Sequence, residues 1–375
     1  MKAVVVIDSF KGSMSSIEAG KAAKEGILKA NPNAEVTVLP LADGGEGTTD
    51  ALIEGLGGKR VSIRVTDPMG EMTDAYYGIL EDGKTAVMEM AQAAGITLVN
   101  QNHKDPYHAT TYGVGEMIRD AVEKGCRKFV IGIGGSATND GGIGMLQALG
   151  VKFLTADGKD VGRGINALSR VASISTKDMI PELKQCEFNI ACDVNNPLCG
   201  ENGATYIYGV QKGIQEAEMA AVDEAMKHYA RITSINEGKD FANENGAGAA
   251  GGMGFAFVSY LEAKLVPGIQ LILDVIKFRE HIKNVDVVVT GEGRLDLQTA
   301  MGKAPVGVAK IAKKYHCKVI AFAGEVTKEA VDCNDEGIDA FFPIVRGICT
   351  LREAMDNKTA RENLTAAVTQ VFRLL

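Results

Sequence analysis

At 375 residues the chain has room for two domains with cores of their own. Its 46% apolar and 23% charged residues are those of an ordinary globular protein, and its net charge of −8 argues against a nucleic-acid binder, which carries a basic excess. No apolar run approaches the roughly 18 residues of a bilayer span, residues 4–7 are too short for a signal-peptide core, and 7 scattered cysteines without zinc-type pairing read as reduced thiols, so a cytoplasmic protein without a membrane partner is expected.

Residues 3–7 read as a short apolar strand that ends in Asp8-Ser9-Phe10-Lys11-Gly12, and a helix is expected over 16–30 with Ser15 or Ser16 as its cap. A second strand at 36–39 ends in Pro40-Leu41-Ala42-Asp43-Gly44-Gly45-Glu46-Gly47, with a helix to about 56. Each of these βα units has a polar, glycine-containing loop after its strand, the edge where open α/β sheets bind ligands. Three strand candidates follow at 60–66, 75–80 and 85–90, joined by short turns, which predicts an antiparallel meander. A helix over 112–124 leads to an apolar strand at 129–131, and a further strand over 189–192 ends at Asp193. A long helix is predicted over 216–235, and a glycine cluster at 246–254 opens an apolar helix to about 263. From 285 the βα alternation returns, with strands at 285–290, 319–323 and 340–344 and helices over 305–315 and 359–372. Five parallel-type strands from the two chain ends imply a doubly wound domain interrupted by a mixed α/β domain over about 66–282.

The stretch from Gly134 to Gly144 is the densest run of small and polar residues, carrying Gly134, Gly135, Ser136, Thr138, Asn139 and Asp140 between a strand and a helical pattern. Such a turn lets backbone N–H groups converge on an anion at a helix start, so nucleotide phosphates are expected there. Gly132-x-Gly134-x-x-Ala137 formally fits a dinucleotide fingerprint, but Asn139-Asp140-Gly141-Gly142 delays the helix that should follow at once. No Gly-x-x-x-x-Gly-Lys-[Ser/Thr] run occurs, which excludes a P-loop, and Ser136 lacks the glycine two positions on that a nucleophile elbow needs.

Asp8 and Lys11 follow the first strand, and Asp43 and Glu46 the second, so carboxylates and a cation are expected on neighbouring loops of one sheet edge. Thr290-Gly291-Glu292-Gly293-Arg294-Leu295-Asp296 reads as the loop after another strand, with Lys303 close behind. There Arg294 and Lys303 suit phosphate oxygens, and Glu292 or Asp296 suits a magnesium ion or a proton. Asp193 at a strand end is a better ligand candidate than Cys192 or Cys199, whose spacing is a poor zinc signal. The cluster at 246–254 fits either a close helix–helix contact or a ligand wall.

Asp8-Ser9-Phe10-Lys11-Gly12, Ala42-Asp43-Gly44-Gly45-Glu46-Gly47, Gly134 to Gly142, Ala191-Cys192-Asp193-Val194, Gly248-Ala249-Ala250-Gly251-Gly252 and Thr290 to Asp296 together resemble, in order and spacing, the motifs of bacterial class I glycerate kinases along the whole chain. The resemblance implies ATP-dependent phosphorylation of D-glycerate, leaning to the 2-position. It also implies two α/β domains: a flavodoxin-like one from both chain ends (1–65 and 283–375), and an inserted one (66–282) with the active site in the cleft between them. The expected machinery is then ATP on the 134–142 turn and Mg2+ held by Asp43 or Asp193. Lys11, Arg294 and Lys303 would meet the glycerate carboxylate and transferred phosphoryl, with Asp8, Asp43 and Glu292 beside the substrate and Asp296 or Asp193 as base. The alternatives are phosphorylation at the 3-position, a nicotinamide-dependent oxidoreductase using the Gly132-x-Gly134 run, and a non-catalytic small-molecule sensor. A homodimer is compatible with the sequence, which gives no oligomeric state.

Overall fold

The computed structural model describes residues 1–100 and 104–375. The chain forms two compact units, one of Met1–Asp43, Asp50–Gly57 and Ile269–Leu375, the other of Gly44–Thr49 and Gly58–Gly268.

The first unit opens with β1 (Lys2–Ile7) and β2 (Glu35–Pro40). The second contributes β3 (Gly58–Thr66), β4 (Met72–Leu80), β5 (Thr85–Glu89), β6 (Lys128–Gly132), β7 (Lys152–Leu154), β8 (Ser173–Ser175), β9 (Glu187–Ala191) and β10 (Lys264–Val266). The chain then returns to the first unit with β11 (Val287–Leu295), β12 (Lys318–Val326) and β13 (Ala340–Pro343).

In the first unit the sheet order is β13-β12-β11-β1-β2 and every pairing is parallel. Counted within the unit this is the 2-1-3-4-5 order of flavodoxin-like sheets, which reverses direction between β1 and β11. The interior of β1 is apolar and buried, as a central parallel strand must be. Helices Ser16–Ala30 and Asn357–Phe372 pack closely because Gly26 has no side chain: a Cβ there would lie 2.6 Å from the Thr365 carbonyl oxygen. The Thr365 and Thr369 hydroxyls donate across that contact to the Ala22 and Gly26 carbonyls, at 3.0 and 3.2 Å. Ser15 caps the first of these helices in a capping box with Glu18.

The second unit holds a six-stranded sheet, β10-β9-β6-β5-β4-β3. β3, β4 and β5 form the antiparallel meander, and β5, β6, β9 and β10 run parallel. Phe129 and Phe188, from adjacent strands, stack at 4.7 Å in its core.

Two expectations change. The boundary expected at 65/66 falls at 57/58, because β3 pairs with β4 along its whole length and so belongs to the second unit, while 269–282 join the first. The Gly291–Leu295 stretch, expected as a loop, continues β11: β12 is equally long and pairs with it as far as Leu295 and Val326. Gly291 makes that pairing tight, since a Cβ there would lie 2.0 Å from the Phe322 carbonyl oxygen. Among the described residues no helix is long and apolar enough to cross a membrane.

Candidate functional site

In the first unit a cavity of about 790 Å3 lies beyond the carboxyl ends of its strands. It is lined by Asp8 after β1, Asp43 after β2, Glu292 and Arg294 on β11, Asp296 and Lys303 beyond it, and Glu325 on β12. Thus Asp8, Lys11, Asp43, Glu292, Arg294, Asp296 and Lys303, singled out from separate motifs, line one cavity. It sits at the reversal point of the strand order, where the Asp8 N–H donates to the Gly291 carbonyl at 2.9 Å and locks the end of β1 to β11.

Charge is sorted by depth within this cavity. Asp8 is buried, and Asp43, Glu292 and Asp296 are half-buried, whereas Lys11, Arg294 and Lys303 are exposed. Burial first, then the neighbouring Asp43 carboxylate, raises Asp8 to about 7, with Glu292 adding to the effect and the Ser9 N–H and Lys11 opposing it. Burial likewise raises Glu292, against a 2.6 Å hydrogen bond from the Thr299 hydroxyl and the pull of Lys303. Arg294 makes only loose ion pairs, 3.5 Å to Glu325 and 3.9 Å to Asp296, and Lys11 and Lys303 make none among the described residues. The cations are therefore at the mouth and available to an anion.

Asp296, expected as a base, is the N-cap of helix Leu297–Ala300: its Oδ1 accepts from the Thr299 N–H at 3.2 Å, and the Thr299 hydroxyl accepts from its own N–H. That reciprocal cap gives it a structural task, and its carboxylate also faces Arg294.

The glycine-rich turn of the second unit divides into two parts. Gly134 and Gly135 are exposed just past the end of β6, and Ser136 follows, 8% exposed. Thr138, Asn139 and Asp140 are fully buried. Asp140 accepts from the Thr111 N–H and hydroxyl, both at 2.9 Å, and from the N–H groups of Gly142 and Gly144 at 3.0 and 3.3 Å. The start of helix Ile143–Ala148 thus already carries its own anion, which corrects the expectation that an external phosphate binds at that helix start. The Thr138 hydroxyl and the Asn139 Oδ1 are buried, and neither has a partner among the described residues; the Asn139 amide nitrogen donates to the Thr205 hydroxyl at 3.0 Å. These three residues, expected as phosphate contacts, are interior.

The second glycine cluster explains why. Gly251 (φ +72°) lies so close that a Cβ would meet the Thr138 carbonyl oxygen at 2.1 Å, and its own carbonyl accepts from the Gly141 N–H at 2.9 Å. The close approach made by the 246–254 cluster is therefore to the backbone of this turn, not to a second helix.

Two residues of this unit escaped sequence reasoning. Lys212 is buried, donates to the Thr138 carbonyl at 2.7 Å, and is lowered to about 7 by burial, against the attraction of Asp140. Glu89, buried at the end of β5, accepts from the Gly47 and Thr49 N–H groups at 3.2 and 2.8 Å and ties the 44–49 loop to this sheet. A strand-end carboxylate between methionines was the one available signal for Glu89; a lysine closing a helix gives none for Lys212.

Asp193 is exposed at the end of β9, beside β6 and its turn, and its Oδ1 accepts from the Gly268 N–H at 2.8 Å. Among the described residues no group of three or more His, Cys, Asp or Glu side chains is placed to hold a metal ion. Cys192 and Cys199 are raised by burial, Cys199 to about 12, so neither is a ready thiolate ligand.

A profile described as the glycerate kinase family matches residues 3–375. The chain is 44% identical over 367 residues to the glycerate 2-kinase of Escherichia coli K12, covering 98% of this chain and 96% of that one. It is 42% identical over 375 residues to a glycerate kinase of Haemophilus influenzae, covering 100% and 99%. A crystal structure of a protein assigned as glycerate kinase 2 from Salmonella typhimurium LT2 superposes with a TM-score of 0.92 at 41% identity, covering 99% of this chain and 97% of that one.

Proposed function

Because this chain belongs to the glycerate kinase family, we propose that it transfers the γ-phosphoryl of ATP to the 2-hydroxyl of D-glycerate, giving 2-phosphoglycerate and ADP. The observation that carries the reading is the sorted charge of the first unit's cavity, with exposed Lys11, Arg294 and Lys303 around buried or half-buried Asp8, Asp43 and Glu292. Glycerate has one end that needs cations and two hydroxyls that need acceptors. Its carboxylate and the incoming phosphoryl suit the rim, and its hydroxyls suit the carboxylates below. Phosphoryl transfer asks chiefly for this positioning and charge neutralisation.

We assign the nucleotide phosphates to the exposed glycines of the second unit's turn, Gly134 and Gly135, with the Ser136 hydroxyl at its buried edge. Thr138, Asn139 and Asp140 hold that turn in shape from inside. A magnesium ion that is bound mainly by phosphates and waters needs only one protein carboxylate. Asp193, at the neighbouring strand end, is the residue we assign to it; when bound, the ion would neutralise charge on the phosphates. Asp43 belongs in this reading to the acid group of the glycerate cavity.

The 2-position follows the name of the Escherichia coli relative. Phosphorus NMR of the product formed from ATP, magnesium and D-glycerate tests it. A 3-phosphoglycerate signal replaces the 2-position by the 3-position, and absence of ADP formation with D-glycerate removes the activity altogether.

A further inference from the structure

We propose that Asp8 is the general base of the transfer, taking the proton of the glycerate hydroxyl as its oxygen bonds to the γ-phosphorus and the bond from that phosphorus to the bridging oxygen of ADP breaks. The proposal rests on the reading of this cavity as the glycerate site.

Geometry separates Asp8 from Glu292 and Asp296, and depth separates it from the half-buried Asp43. It follows directly on the central strand β1 at the reversal point of the sheet, so its backbone is held by the parallel ladder and by the bond to Gly291. One of its oxygens accepts from the Ser9 N–H at 2.7 Å, which fixes the orientation of the group. Asp296 is occupied as a helix cap, and Glu292 receives the Thr299 hydroxyl. Arg294 pairs loosely with Asp296 and Glu325 at the rim.

The charged groups that line the cavity with Asp8 come from several elements, and of these Asp43, Glu292 and Lys11 act on it directly. Lys11 lies on its own loop, Asp43 after β2, Glu292 and Arg294 on β11, Asp296 and Lys303 beyond β11, and Glu325 on β12. Burial and the Asp43 carboxylate lead in holding Asp8 near 7, the value at which a carboxylate is both available and basic at neutral pH. An ordinary carboxylate, several units lower, would be a weaker proton acceptor.

The test is the pH dependence of kcat/KM for D-glycerate between pH 5 and 9 at saturating magnesium-ATP, for wild type, Asp8→Asn and Asp43→Asn, with ATP affinity measured by calorimetry on each. Wild type is expected to lose activity below a midpoint near 7. Asp8→Asn should lose about 100-fold or more of kcat/KM and the acid limb with it, while keeping its ATP affinity. Asp43→Asn removes a negative neighbour, so it should keep the limb and move it to lower pH. A limb that persists at the same midpoint in Asp8→Asn belongs to the nucleotide or another group and overturns the assignment. So does a limb that Asp43→Asn leaves in place or moves upward, a result that stands even if Asp8→Asn fails to fold. A wild-type enzyme that does not turn over D-glycerate overturns instead the reading of the cavity on which the base depends.

Discussion

Holding a carboxylate near 7 has a cost that can be measured without substrate. Asp8 is raised from 3.8 to about 7 by burial and by its acidic neighbours, so the folded chain binds a proton on Asp8 over a range where the unfolded chain does not. Below pH 3.8 both states are protonated and Asp8 costs nothing; as the pH rises its contribution falls, and it levels off above about 7. Integrated over this window, the ionised carboxylate destabilises the fold by about 4 kcal/mol at pH 8 and by about 1 kcal/mol at pH 4.5. Asp8→Asn keeps the shape and an acceptor for the Ser9 N–H but cannot ionise. It should therefore melt higher than wild type, by on the order of 10 °C at pH 8 and about 3 °C at pH 4.5, taking 2–4 °C per kcal/mol for a unit of this size. Scanning calorimetry of the full chain at the two pH values is the assay. If Asp8→Asn is no more stable than wild type at pH 8, or gains equally at both pH values, the carboxylate is not held out of its ordinary range by its surroundings. A variant that gains stability and loses turnover is the trade expected where a strained group performs the chemistry.

Other substitutions probe different parts of the molecule. Arg294→Ala should lower kcat/KM for D-glycerate by about 100-fold, about 3 kcal/mol for one transition-state contact, yet leave the melting temperature almost unchanged because its ion pairs are loose and exposed; a drop under tenfold removes it from the machinery. Lys212→Met fills the same space without a charge. Because the folded lysine is depressed to about 7 while the unfolded one stays at 10.5, wild-type stability should rise between those values, so the difference in denaturant midpoint between wild type and Lys212→Met should shift in favour of wild type from pH 7 to 10. A constant gap contradicts the depression. Gly251→Ala would force a methyl to 2.1 Å from the Thr138 carbonyl at φ +72°, and should cost well over 2 kcal/mol in chemical denaturation. Gly125→Ala, also at positive φ (+93°) but with open space around it, should cost only about 1 kcal/mol; equal losses would show that the Gly251 contact is not what limits that site.

Strands and their end loops were legible because buried parallel strands are short apolar runs closed by glycine and carboxylate, as in 3–8, and the meander was legible from its turns. The continuation of β11 through Gly291-Glu292-Gly293-Arg294 was not, because no strand propensity marks it; the pairing is supplied by β12, distant in sequence. The same limit explains the central turn. Hydroxyl, amide and carboxylate side chains are usually exposed, so Thr138, Asn139 and Asp140 read as ligand-facing along with Gly134 and Ser136. Only the close approach of Gly251, itself visible in the sequence as a glycine without a stated use, buries one half of the turn and leaves the other outside.

Residue type thus announces which chemistry is available, whereas depth decides which of it is used. Asp8, Asp43, Glu292 and Asp296 are interchangeable on paper, each a carboxylate at or near a strand end. In the sheet one becomes a cap, one is held by a threonine hydroxyl, and Asp8 is the one buried between two like charges at the reversal of the strand order. Since burial and like charge both disfavour ionisation, the residue most costly to the fold is also the one best matched to a proton at neutral pH. The same cause predicts a stability loss that levels off at the pH where the acid limb of activity has its midpoint, near 7. A stability loss that levels off at a pH clearly different from the midpoint of the limb would show that the group destabilising the fold and the group taking the proton are different residues.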